Sequence, residues 1–174
     1  MDSVFIGDKA VFAVEYKVSD IKPYLMGYFR LWVSNCYIGD FEEEVMLGTS
    51  ACCLTSLLDE SRVTNSYPEL NADNMPASRV MTPEEKFSFL SDDDDAHDNY
   101  MFNVAEATDD FAVFAYRTGE DMDFLWKIHY PRRLPKNLKK YPREMILKKV
   151  PFDIVKQVVE EFDNTIKLIR QPPP

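Results

Sequence analysis

The chain has 174 residues, of which 45% are apolar, and a formal net charge of −10. That length and apolar content suit one domain with a real core, residues 1–174, and the acidic majority argues against nucleic-acid binding through the body of the domain. The charge is uneven: residues 40–126 hold 21 acidic and 4 basic side chains, whereas residues 127–149 hold 9 basic and 1 acidic. Such a distribution suits a basic protein partner, although an acidic balance also serves solubility alone.

Three cysteines, two adjacent at Cys52-Cys53, form neither a disulfide framework nor a Cys-x-x-Cys pair, which predicts a reducing, cytoplasmic compartment. The first residues, MDSVFIGDKAVF, lack a basic segment followed by an apolar run, and no window approaches 18 uncharged apolar residues. Neither an export signal nor a membrane span is expected.

In chain order, Phe12, Val14, Tyr16 and Val18 alternate with Val11, Ala13, Glu15 and Lys17, a strand pattern. Tyr28, Arg30 and Trp32 alternate with Phe29, Leu31 and Val33 in a second strand whose two faces are both largely apolar. It is expected to be central, covered on one side by helix and on the other by a further layer or a partner. Ser34-Asn35 supplies a turn and Cys36-Tyr37-Ile38 the antiparallel return.

A first helix is expected from Gly48–Ser50, capped by Thr49 or Ser50, with Leu47, Ala51, Leu54 and Leu58 inward and Cys52 and Cys53 as small core residues. Ser61–Met81 reads as a long surface loop. Thr82-Pro83-Glu84-Glu85 predicts a capped helix burying Phe87 and Leu90, stopped by the acidic run Asp92, Asp93, Asp94 and Asp95. With His97 and Asp98, that run reads as a solvated loop, since it lacks the glycine and distal Glu of a calcium loop. Tyr100, Phe102 and Val104, then Phe111–Tyr116, then Met122–Ile128 mark three more strands, with Thr118–Asp121 as a turn. Trp32 and Trp126 are expected in the core.

Pro131–Lys149 is a basic, proline-punctuated connection, read as an internal partner for acidic loops. Phe152, Val155, Val158, Val159, Phe162, Ile166 and Ile169 form the stripe of a long C-terminal helix that must cover the sheet, and residues 171–174 read as a frayed tail. The fold class is therefore α+β: a mostly antiparallel sheet of about six strands packed against helices. No phosphate loop, glycine fingerprint, metal spacing or nucleophile elbow appears, which favours a binding role over an enzyme.

FAVEYKV, YFRLWVSNCYIGDFEEEVMLGTSACCLTSLL, ATDDFAVFAYRTGEDMDFLWKI and the amphipathic C-terminal helix together resemble the immunity protein 42 family of bacterial polymorphic-toxin systems. The likeness runs from about Val11 to Leu168 and is sharpest at Leu31-Trp32 and Ile38-Gly39-Asp40-Phe41. It implies a non-enzymatic cytoplasmic antidote, without cofactor or membrane association, that blocks one cognate toxin domain. An acidic inhibitor would match a basic, nucleic-acid-attacking toxin by fast, salt-sensitive association. The candidate contacts are then Asp40, Glu42, Glu43 and Glu44; Asp92, Asp93, Asp94, Asp95 and Asp98; and Glu106, Asp109 and Asp110. Each group also has a reading as solvated surface. Two competing readings are an adaptor that adds a peptide to a sheet edge and a small enzyme with a carboxylate-lined cleft.

Overall fold

A computed structural model describes residues 2–71, 75–104, 106–129 and 134–170. The first strands form where side chains alternate. β1 (Val4–Asp8), β2 (Phe12–Asp20) and β3 (Met26–Val33) run antiparallel, and β4 (Cys36–Ile38) and β5 (Glu44–Met46) both pair with β3. Ser34 and Asn35 take φ of 48° and 64°, the left-handed pair that a two-residue hairpin needs. The β2–β3 register sets Phe12 opposite Val33, Val14 opposite Leu31 and Tyr16 opposite Phe29, so one face of this five-stranded sheet is continuous core.

The later strands form a second, separate sheet in the order β6 (Phe111–Thr118), β7 (Asp121–Ile128) and β8 (Ile146–Pro151). Gly119, with φ of 62°, closes the β6–β7 turn as expected. Its strands lack polar alternation because both faces are covered. Val113, Phe124, Trp126 and Val150 join the main core shared with the larger sheet, and Phe12 stacks on Phe124 with ring centroids 5.5 Å apart. Phe114, Tyr116 and Leu125 face the other way, into a second cluster with Phe87, Leu90, Ala96 and Tyr100. That cluster is the inner side of α2 (Pro83–Asp92) and α3 (Asp94–Tyr100).

α4 (Phe152–Arg170) closes the main core. Its stripe buries Val155, Val158, Val159, Phe162 and Ile166, and Phe162 packs against the rings of Tyr16 and Phe29 at 5.4 and 5.8 Å. α1 (Leu47–Thr55) lies beside it and contributes Leu47, Ala51 and Leu54. Thr82 and Glu85 form the capping box that their spacing predicts.

Several local expectations are corrected. The helix of α1 begins at Leu47, with Met46 as its cap residue and no side-chain cap; its rotation leaves Cys52 exposed and Cys53 half-buried. The run Asp92–Asp95 does stop α2, but it also starts α3: Asp93 caps the new helix by accepting from the Ala96 amide at 2.8 Å, and carboxylates suit that positive helix end. Tyr100, Phe102 and Val104 are no strand, since Tyr100 ends α3 and only Met101 bridges to Phe114. Ser61–Met81 carries short 3-10 turns and buries Arg62, Thr64 and Leu70. Arg62 organises it, donating from Nε and both Nη atoms to Ser56, Tyr100, Met101 and Ala115. The basic connection ends in β8, and residues 130–133 and the tail at 171–174 lie outside the described residues.

Candidate interaction surface

The fold brings together two of the three predicted acidic groups. Gly39, with φ of +116°, turns the chain out of β4 so that the Asp40 amide donates to the carbonyl of Ala107 at 2.7 Å. This joins the segment after β4 to the 3-10 turn Glu106–Thr108, which is 67 positions further along the chain. Asp40 itself is buried; it accepts from the Glu42 amide at 2.8 Å and from the side-chain amide of Asn137. The basic connection thus reaches the acidic group through Asn137.

Glu42, Glu43, Glu106 and Asp109 are exposed around Asp40, and Asp110 is half-buried. Partial burial raises the pKa of Glu43, and the charges of Asp40, Asp109, Asp110 and Glu106 raise it further. Asp110 is raised by burial and by Asp40 and Asp109, against a lowering by His129. The group is therefore a concentration of like charge in which the carboxylates raise one another's pKa, with His129 acting against this at Asp110. Glu44 turns away along β5 and accepts a hydrogen bond from Ser19.

The third predicted group stands apart, on the helices over the smaller sheet. Asp93 is occupied as the cap of α3 and also accepts from the Tyr67 hydroxyl at 3.1 Å, while Ser88 donates to Asp92 at 3.1 Å. Asp94, Asp95 and Asp98 point to solvent, and the His97 ring packs edge-on to Phe114 at 5.8 Å.

One surface was missed by sequence reasoning. Trp32 is not in the core: it lies on the outer face of the larger sheet, half-exposed. There the β1–β2–β3 register aligns Phe5, Glu15 and Arg30 in one row and places Ala13, Trp32 and Tyr37 in the next. Glu15, 4% exposed, accepts from Arg30 Nε at 2.7 Å and from Trp32 Nε1 at 2.8 Å. Burial alone would raise its pKa, but the hydrogen bonds from Arg30, Trp32 and Ser3 outweigh that and hold it below the ordinary value. The Arg30 guanidinium in turn lies about 5 Å from the rings of Trp32, Tyr37 and Phe41. Lys9 Nζ stands 3.8 Å from the Phe5 ring and 4.4 Å from that of Trp32. The available signal was parity: Trp32 shares its side of the strand with Arg30, and Glu15 sits opposite Arg30.

Among the described residues no three His, Cys, Asp or Glu side chains group as metal ligands. An apolar groove of about 490 Å³ between the β2–β3 link, α1 and the end of α4 is lined by Ile21, Tyr24, Met46, Cys52 and Arg170, without a carboxylate or histidine. Among the described residues no helix is long and apolar enough to cross a membrane.

No curated protein matches the chain in sequence. Its fold is similar to the crystal structure of CdiI from Burkholderia dolosa AUO158, with a TM-score of 0.59 at 11% identity over 93% of this chain and 99% of that one. The family model described as Immunity protein 42 matches residues 1–165, from before β1 into the last turns of α4. With both sheets, α1 to α3 and most of α4 inside that match, the chain belongs to the immunity protein 42 family.

Proposed function

We propose that this protein binds a cognate bacterial toxin domain by direct contact in the cytoplasm and neutralises it without catalysis of its own. The contact surface is the joined acidic group of Asp40, Glu42, Glu43, Glu106, Asp109 and Asp110. The observation that carries this reading is the Asp40–Ala107 hydrogen bond, which gathers carboxylates from two distant segments into one patch whose members raise one another's pKa. Such a patch is relieved by a basic surface opposite it, the charge expected of a toxin that attacks nucleic acid. Membership of the immunity protein 42 family supports the same role.

The test is co-purification with the toxin domain encoded by the neighbouring upstream gene, at low and at high salt. A stoichiometric complex that weakens as the screening length falls from ~10 Å at 0.1 M toward ~3 Å at 1 M supports the reading. Replacing Glu43 and Asp109 by Lys should weaken it and flatten the salt response. Failure of the unaltered protein to bind that domain overturns the proposal.

A further inference from the structure

We infer that the outer face of the five-stranded sheet, centred on Arg30, Trp32, Tyr37 and Phe41, is the apolar centre of the docking surface for a basic toxin domain, with the joined acidic group as its rim. This rests on the function proposed above and says where its binding energy resides.

The two sheets are covered unequally. The smaller has the main core on one face and α2 and α3 on the other, whereas the larger is packed on its inner face by α1, α4 and the smaller sheet, and among the described helices none lies across its outer face. An antiparallel sheet with one wet face ordinarily shows polar side chains there. This one shows Phe5, Tyr28, Trp32, Tyr37 and Phe41 interleaved with Lys9, Lys17 and Arg30.

These side chains are also held rigidly. Glu15 lies almost fully buried beneath them and grips Arg30 and Trp32 together, and Arg30 is flanked by three rings. Solubility would not require burying a carboxylate to orient a tryptophan. Trp, Tyr and Arg are the residues that dominate binding hot spots, and fixing their rotamers in the free protein lowers the entropy lost on association.

The identity of the occupant follows from the rim. A Cβ on Gly39 would lie 3.3 Å from Arg30 Cβ and 3.2 Å from the Ala107 carbonyl, so the aromatic face and the acidic group meet without a gap. The partner must therefore offer lysines or arginines around an apolar centre. A second copy of this chain would instead set a net charge of −10 against −10.

Hydroxyl-radical footprinting of the unaltered protein, alone and with the upstream toxin domain, tests this directly. Oxidation of Trp32, Tyr37 and Phe41 should slow about fivefold or more in the complex, as expected for side chains at a desolvated interface centre. Tyr24 and Met46, on the groove beside α1, should react unchanged. Trp32→Ala and Phe41→Ala should each weaken binding about 30-fold while the melting temperature of Phe41→Ala stays close to that of the parent. A complex that forms with these three residues still reactive overturns the inference and leaves the proposed function standing. Absence of any complex with the unaltered protein overturns both. A free protein that runs as a dimer with Trp32 already protected assigns the face to self-association and also overturns it.

Discussion

Arg62 is the most exacting test of how this fold is held. It is 6% exposed, meets no carboxylate among the described residues, and donates to Ser56 O at 2.7 Å, Ala115 O at 2.9 Å, and Tyr100 O, Met101 O and Ser56 Oγ at 3.2 Å. Burial pushes its pKa down to about 10, partly opposed by Asp59, so the charge survives at neutral pH, held mainly by carbonyl dipoles. Arg62→Met keeps most of the packing volume but removes every donor. Leaving buried carbonyls without partners costs roughly 1–3 kcal/mol each, and Tyr100 and Ala115 are both fully buried, so we expect a loss of about 4 kcal/mol. For a chain of this size that corresponds to a fall in Tm of roughly 8–16 °C. Arg62→Lys should fall between the two, because one ammonium cannot reach α1, α3 and β6 together. Thermal melts followed by near-ultraviolet circular dichroism supply the comparison, with exposed Arg79→Ala as a control expected within about 0.5 kcal/mol of the parent. An Arg62→Met protein melting within 2 °C of the parent would refute the reasoning.

The raised pKa values of Glu43 and Asp110 set a pH dependence with opposite signs for the free and bound protein. In the free protein, the folded state holds protons more tightly than the unfolded chain, so stability falls as pH rises through the window just above the ordinary values of 4.5 and 3.8. A basic partner lowers those pKa values again, so affinity for it should rise through the same window, read by titration calorimetry from pH 4 to 7. Phe162→Ala should cost about 3–5 kcal/mol, since it empties the space between Tyr16 and Phe29 under both α4 and the sheet; urea denaturation measures it, and a loss under 1 kcal/mol would contradict the packing described. Thr82→Ala should cost about 1 kcal/mol and raise hydrogen exchange in the first turn of α2, leaving toxin binding unchanged.

What the sequence disclosed was local. The Ser34-Asn35 turn, the Thr82–Glu85 capping box and the stripe from Val155 to Ile166 each depend on side chains within a few positions, and each stands as expected. The division of the described strands between two sheets could not be read because pairing is non-local; β1, β5 and β8, which the sequence pattern did not mark, are ordered by the strands they pair with. The acidic run at Asp92–Asp95 shows how one composition supports two readings, since the same charges that end a helix begin the next. Trp32 was misplaced because ring size suggested burial, whereas its parity with Arg30 pointed outward. The union of Asp40 with Glu106–Asp110 rests on a backbone hydrogen bond across 67 positions and on the packing of Ala107 into the core, which no spacing rule anticipates. Arg62 is one of two arginines in the polar stretch Ser61–Met81, and only the structure shows the carbonyls that receive it.

The position of α4 has a consequence for synthesis. The larger sheet is complete by residue 46, yet the part of its inner face that lies under α4 stays open until the helix spanning Phe152–Arg170 has left the ribosome. At ~5–20 residues per second, more than a hundred further residues take roughly 5–25 s, during which Tyr16 and Phe29 lack the Phe162 ring that packs on them. A nascent chain of this build is open to proteases and chaperones for most of its translation. On the role proposed above, protection begins only when the helix at Phe152–Arg170 docks, so a cell's immunity lags the start of translation by that interval.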